Sequence, residues 1–105
     1  MINKIKMTEE KIIENVESTV CDHVGVTKSQ MMEKTKKGSC VKARHLSILI
    51  LHNIFKLSIR TLCLRYGYTQ RQVFRINSQM KDYIEYNCSY RDLYNSIVDS
   101  IEHRL

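Results

Sequence analysis

The absence of proline from all 105 residues is the feature that most restricts what this chain can fold into. Proline and glycine are the residues that most often interrupt helices, and the chain contains only three glycines. Its 43% apolar content is enough for one modest core, and it argues against disorder. The composition therefore predicts a single folded all-α domain.

Capping residues and apolar positions at helical spacing divide the chain into about six helices. Residues 1–7 are predicted to form a basic N-terminal segment, and residues 8–105 a single helical domain. The third helix is expected over about 41–56, with Leu46, Leu49, Ile50 and Ile54 in the core. Further inward-facing positions are expected at Val73, Ile76, Met80, Tyr83, Ile84, Leu93, Ile97, Ile101 and Leu105. Gly25 and Gly67 are predicted to end helices, and the predicted N-caps are Thr8, Thr27, Ser39, Ser58, Thr69 and Ser89.

Charge is distributed very unevenly along the chain. Eleven basic residues and no acidic residue lie between 34 and 81, whereas the remaining residues include six basic and all eleven acidic ones. A surface adapted only for solubility mixes the two signs, but a long block of one sign creates a field that attracts a polyanion. Nucleic acid is therefore the first partner to consider.

The segment 58–76, within this block, has the pattern of two helices joined by a tight turn. Gly67 can adopt the positive φ that such a turn requires, and Cys63 offers a small side chain where the helices approach. Apolar side chains that would hold the second helix in place flank the turn. This pattern predicts a helix-turn-helix over about 58–87, although an αα-hairpin with a polar exposed face is the alternative.

The second helix of such a unit enters the major groove by its N-terminal end. Arginine pairs with guanine and glutamine with adenine through two hydrogen bonds each, so the polar residues there suit base recognition. The candidates on this helix are Thr69, Gln70, Arg71, Gln72 and Arg75.

Several segments resemble the C-terminal DNA-binding domain of the bacterial replication initiator DnaA, from about Glu14 to the C-terminus. Residues 14–21 resemble its first helix and 26–32 its short second helix. Residues 42–45, Lys-Ala-Arg-His, lie where the family has Arg-Pro-Arg-Gln. The turn 66–72, Tyr-Gly-Tyr-Thr-Gln-Arg-Gln, replaces the family's Gly-Gly-Arg-Asp-His-Thr-Thr, so only the second glycine is kept. The resemblance implies a Trp-repressor-like helix-turn-helix in a free-standing relative with different base-reading residues, since no phosphate-binding loop of the ATPase domain is present.

The resemblance also implies contacts outside the second helix. The basic loop of the family reaches the minor groove, and the matching residues are Lys34, Lys36 and Lys37. Arg44 is the retained arginine at the start of the third helix, where Lys42 and His45 flank it. The helix that begins at Ser58 could offer backbone N–H groups to a phosphate.

No pattern suggests catalysis, a cofactor, a metal or a small-molecule substrate. The cysteines at 21, 40, 63 and 88 lack the close spacing of zinc ligands, and reduced cysteines are typical of a cytoplasmic protein. No segment is predicted to enter a membrane.

The sequence thus predicts binding of double-stranded DNA in replication or transcription control. Two alternatives are a protein-interaction module whose basic face binds an acidic partner, and RNA or single-strand binding. A protein partner is also possible, and the oligomeric state is left open.

Overall fold

The computed structural model describes residues 8–33 and 38–104, apart from the side chain of the last of these. This part of the chain forms six helices and no strand, which confirms the all-α prediction. The helices are α1 (Glu9–Val24), α2 (Lys28–Met32), α3 (Gly38–Asn53), α4 (Ile59–Tyr66), α5 (Gln70–Tyr86) and α6 (Cys88–Arg104). The predicted N-terminal segment, the lysines at 34, 36 and 37, and Leu105 lie outside the described residues.

Helix α3 is the centre of the domain. Every residue from 46 to 51 is buried, as expected for a helix that is covered on all sides. It contacts α1, α2, α4 and α5, while α6 packs across α1 and α5. The core positions Leu46, Leu49 and Ile50 are therefore confirmed. None of the described helices is both long enough and apolar enough to cross a membrane.

Short-range hydrogen bonds fix most helix ends at the predicted residues. Thr8 Oγ1 accepts the backbone N–H of Lys11 at 3.2 Å. Thr27 and Gln30 form a capping box, in which each side chain accepts the other residue's backbone N–H. Gly25 closes α1 with φ 90°, in the left-handed region that favours glycine.

Two predicted N-caps are wrong. Ser39 lies inside α3, because this helix already begins at Gly38. Ser89 lies inside α6, because Asn87 alone separates α5 from α6 and its Oδ1 accepts the N–H of Tyr90 at 3.1 Å. The prediction of Ser89 failed because serine and asparagine are comparable N-caps, and only the position of the preceding helix end selects between them.

The predicted end of the third helix is also wrong. Helix α3 stops at Asn53, and Ile54 is exposed instead of buried. The chain turns because Lys56 adopts a left-handed conformation with φ 62°. The buried Leu57 then donates its N–H to the carbonyl of Leu51 at 3.0 Å. The return of Leu57 to the core replaces another turn of helix.

The apolar positions of the last two helices are largely as predicted. Val73, Ile76, Met80, Ile97 and Ile101 are buried. Ile84 and Leu93 are partly buried against the core. The prediction for Tyr83 is wrong, because this residue is 50% exposed and only its contact with the stacked ring of Tyr90 of α6 covers it in part.

Candidate nucleic-acid interface

Helices α4 and α5 are joined by three residues, Gly67, Tyr68 and Thr69. Ser58 caps the start of α4 by accepting the N–H of Thr61 at 3.1 Å. Gly67 ends α4 with φ 72° and donates its N–H to the carbonyl of Cys63 at 2.9 Å. An L-residue pays a steric penalty in this conformation, which explains glycine here. The short connection fixes where α5 begins relative to α4.

A capping box occupies the first turn of α5. Thr69 Oγ1 accepts the N–H of Gln72 at 3.1 Å, and Gln72 Oε1 accepts the N–H of Thr69 at 2.8 Å. These two side chains were both predicted to read bases. In the structure they stabilise the helix start, so the adjacent residues of α5 are better placed for contacts with a ligand.

The first half of α5 has one buried and one exposed face. Val73 and Ile76 are buried beside α3 and α4, whereas Gln70, Arg71 and Arg75 are exposed. The structure therefore places these three predicted site residues together on the solvent side of one rigid helix. Phe74 is also 56% exposed between the two arginines. The sequence analysis missed it, although an aromatic ring that breaks the apolar stripe of a helix is a signal that could have indicated it.

Arg44 is held inside the protein. It is only 8% exposed, and its Nη1 donates to the carbonyl oxygens of Met31 at 2.6 Å and Glu33 at 2.7 Å. Its Nε donates to the hydroxyl of Tyr68 at 3.1 Å. Arg44 thus satisfies carbonyls at the end of α2 and ties them to the α4–α5 turn. These hydrogen bonds give Arg44 a structural role that the resemblance did not imply.

His45 and Lys42 lie close to Arg44 in the first half of α3. His45 is half-buried, and burial lowers its pKa below the ordinary 6.5, with the positive charges of Arg44 and Arg75 adding to the effect. Arg75 of α5 is therefore close enough to α3 to act on His45 electrostatically. Lys42 Nζ lies 5.1 Å from the centroid of the Tyr90 ring, in a cation–π contact. Lys42 of α3 and Arg75 of α5 thus contribute positive charge from neighbouring helices.

An ion pair that the sequence analysis did not find fixes α4 against α1. Glu17 of α1 is fully buried, and Arg65 donates to its two carboxylate oxygens through Nε at 3.0 Å and Nη2 at 2.6 Å. The hydroxyl of Tyr66 donates to the same carboxylate at 2.6 Å. Burial and the negative charge of Glu17 strongly raise the pKa of Tyr66. The hydrogen bond to Glu17 raises the pKa of Arg65.

Ser58, which was predicted to lie beside a phosphate, is exposed at the start of α4. All four cysteines are free thiols. No group of three or more His, Cys, Asp or Glu side chains in the described segments could hold a metal ion. The lysines predicted to form a basic loop, at 34, 36 and 37, lie outside the described residues, so their role stays a prediction.

No protein-family model matches the chain, and no curated protein matches it at a significant level. The resemblance to the DnaA C-terminal domain therefore rests on the residues quoted above.

Proposed function

We propose that this chain binds double-stranded DNA, with α4 and α5 acting as a helix-turn-helix and the first half of α5 entering the major groove. The observation that carries the proposal is the exposed set Gln70, Arg71 and Arg75 on a helix whose opposite face is buried. A helix held in this way can present side chains to base edges without losing its own packing. This is a binding function and requires no catalytic group.

Each exposed side chain of α5 suits a different base contact. Arg71 and Arg75 can each form two hydrogen bonds to guanine O6 and N7, and Gln70 can do the same with adenine N6 and N7. Phe74, which is between the two arginines in the sequence, is also exposed and can contact the methyl group of thymine. This combination favours binding with some sequence preference.

Phosphate contacts would come from the elements beside α5. Lys42 and His45 lie on the adjoining part of α3, and Ser58 lies where the N-terminal N–H groups of α4 face solvent. No acidic residue occurs between 38 and 81, so this surface does not carry the charges that repel phosphate. Lys34, Lys36 and Lys37 would add minor-groove contacts.

The resemblance to the DnaA domain supports the same orientation and suggests a bacterial, cytoplasmic protein in replication or transcription control. Because residues 69–72 replace all four reading residues of the family, we infer that the chain reads a different site from the initiator.

The proposal is tested by titrating the protein into a fluorescent random-sequence duplex at several salt concentrations, with an unpaired strand of the same length for comparison. Binding of the duplex should be tighter and should weaken steeply with salt. Arg71→Ala should weaken it about fivefold or more, which corresponds to loss of about 1 kcal/mol or more, because it removes a positive charge from the interface.

The matched control is Lys11→Ala, which removes the same charge from the exposed surface of the acidic helix α1. It should leave the affinity nearly unchanged. Equal effects of the two substitutions, or no duplex binding at low salt, would refute the proposal. Tighter binding of the unpaired strand would favour the single-strand alternative.

Two exposed apolar side chains favour a second candidate function, a protein-interaction module. Leu64 of α4 and Phe74 of α5 are both large and exposed, and aromatic residues such as phenylalanine are enriched at protein interfaces. For this function the duplex should bind weakly without sequence preference, and Arg71→Ala should change little.

A further inference from the structure

An open groove lies between the start of α3, the second half of α5 and the start of α6. Its volume is about 400 Å³, which is within the range of small-molecule sites. Lys42 and His45 line it from α3, Gln79 and Tyr83 from α5, and Tyr90 from α6. The groove therefore combines aromatic rings with cationic and amide side chains. The proposed binding of a duplex by α5 uses neither Tyr83 nor Tyr90.

The two tyrosines provide a stacking surface. Their ring centroids are 5.2 Å apart and the rings are inclined by only 17°. Tyr90 covers one side of Tyr83, yet Tyr83 remains 50% exposed. A further planar ring can therefore extend the stack on Tyr83.

The charges around the groove favour an anion. Lys42 reaches over Tyr90, and His45 lies close enough to Arg75 to be affected by its charge. None of the described residues that line the groove is acidic. The nearby acids of α5, Asp82 and Glu85, are exposed to solvent and do not line the groove.

We propose that this groove binds a nucleotide, with the base stacked on Tyr83 and the phosphate held by Lys42 and His45. A planar ring without charge would leave Lys42 unused, and a simple anion would leave the stacking surface unused. The nucleotide can come from two sources, a free nucleoside monophosphate or an unpaired nucleotide in a single strand. Lys42 and His45 are also assigned phosphate contacts in the proposed duplex complex, but Tyr83 and Tyr90 are not, so stacking on Tyr83 does not depend on duplex binding.

The proposal is tested by titrating the isotope-labelled chain with deoxyadenosine 5′-monophosphate and recording backbone amide chemical shifts. Inorganic phosphate and deoxyadenosine serve as the two fragments. The monophosphate should bind more tightly than either fragment and should shift the amides of the groove residues. Lys42→Gln should weaken binding of the monophosphate and leave the weaker binding of deoxyadenosine unchanged.

Substitutions of tyrosine separate stacking from a general loss of structure. Tyr83→Ala should weaken binding roughly fivefold to a hundredfold, because a base stacked on an aromatic ring loses this much when the ring is removed. Tyr83→Phe should bind like the unchanged chain. Tyr86→Ala is the control, since Tyr86 is 78% exposed on the same helix but does not line the groove.

A short deoxyadenosine oligonucleotide distinguishes the two sources. Binding much tighter than that of the monophosphate, and weakened by Tyr83→Ala, would identify a single strand as the ligand; equal affinities would identify the free nucleotide. Absence of shifts in the groove at millimolar ligand, or equal effects of Tyr83→Ala and Tyr86→Ala, would overturn the proposal. No duplex is present in these titrations, so a failure here is distinct from a failure of the Arg71→Ala test.

Discussion

Replacing Glu17 by glutamine should destabilise the domain by about 3 kcal/mol. The carboxylate of Glu17 is fully buried and accepts three hydrogen bonds, two from Arg65 and one from Tyr66. Glutamine has nearly the same shape, so the substitution tests the charge and its hydrogen bonds and leaves the packing unchanged.

The magnitude follows from these contacts. A glutamine amide keeps one acceptor oxygen but turns its NH₂ group toward a donor that previously had a carboxylate oxygen. If the oxygen replaces Oε2, the bonds from Arg65 Nε and Tyr66 remain without the full charge, and the bond from Arg65 Nη2 is lost. Hydrogen bonds to charged groups contribute about 1.5–3 kcal/mol each. The side chain of Arg65 is 40% exposed, so water compensates part of its loss. The sum is about 3 kcal/mol, and for a domain of this size that lowers the Tm by about 10–15 °C.

Thermal and urea unfolding followed by circular dichroism at neutral pH measure this loss. The matched control is Glu14→Gln, because Glu14 lies on the same helix, is largely exposed and is 4.0 Å from Lys28 Nζ. Its removal should change stability by less than about 0.5 kcal/mol. A loss for Glu17→Gln no larger than that for Glu14→Gln would refute the reasoning that the buried charge fixes α4 to α1.

Two further predictions concern α3. Arg44→Lys should destabilise the domain by about 2 kcal/mol in the same unfolding assay, because lysine cannot reproduce the guanidinium contacts to two carbonyls and a hydroxyl. A loss below about 0.5 kcal/mol would contradict this structural role of Arg44. The pKa of His45 is lowered in the folded state. Below pH 6.5 the unfolded chain therefore binds a proton at this residue more readily than the folded chain does, and stability should fall as the pH decreases through the folded pKa. His45→Gln should remove this part of the pH dependence, and an unchanged difference between unfolding curves at pH 7.5 and pH 5 would count against it.

The sequence could predict the features that depend on neighbouring residues. The N-caps at Thr8, Thr27, Ser58 and Thr69 depend on hydrogen bonds that span three residues, and all four are present. Gly67 could be placed at a helix end because few other residues tolerate its φ. The exposure of Arg71 could also be predicted, because the helical spacing of its buried neighbours places Arg71 on the opposite face.

The features that the sequence could not predict depend on residues far apart in the chain. Glu17 pairs with Arg65 across 48 residues. Its spacing from Ile13 and Val20 places it on the apolar face of α1, but nothing in this local pattern indicates which residue it pairs with. Arg44 reaches carbonyls that lie 11 and 13 residues before it. Both interactions become visible only when the packing of α3 against α1, α2 and α4 is known.

The structure divides the basic block into residues that build the domain and residues that are available to a ligand. Eight of its eleven cations are in the described residues, and two of them, Arg44 and Arg65, hold helices together through buried partners. Replacing either would lower the affinity for any ligand simply because the position of α4 and α5 would change. Reduced DNA binding in such variants is therefore no evidence of contact with DNA. A substitution such as Arg71→Ala removes an exposed side chain that has no role in the packing, so only this kind of variant tests the proposed interface.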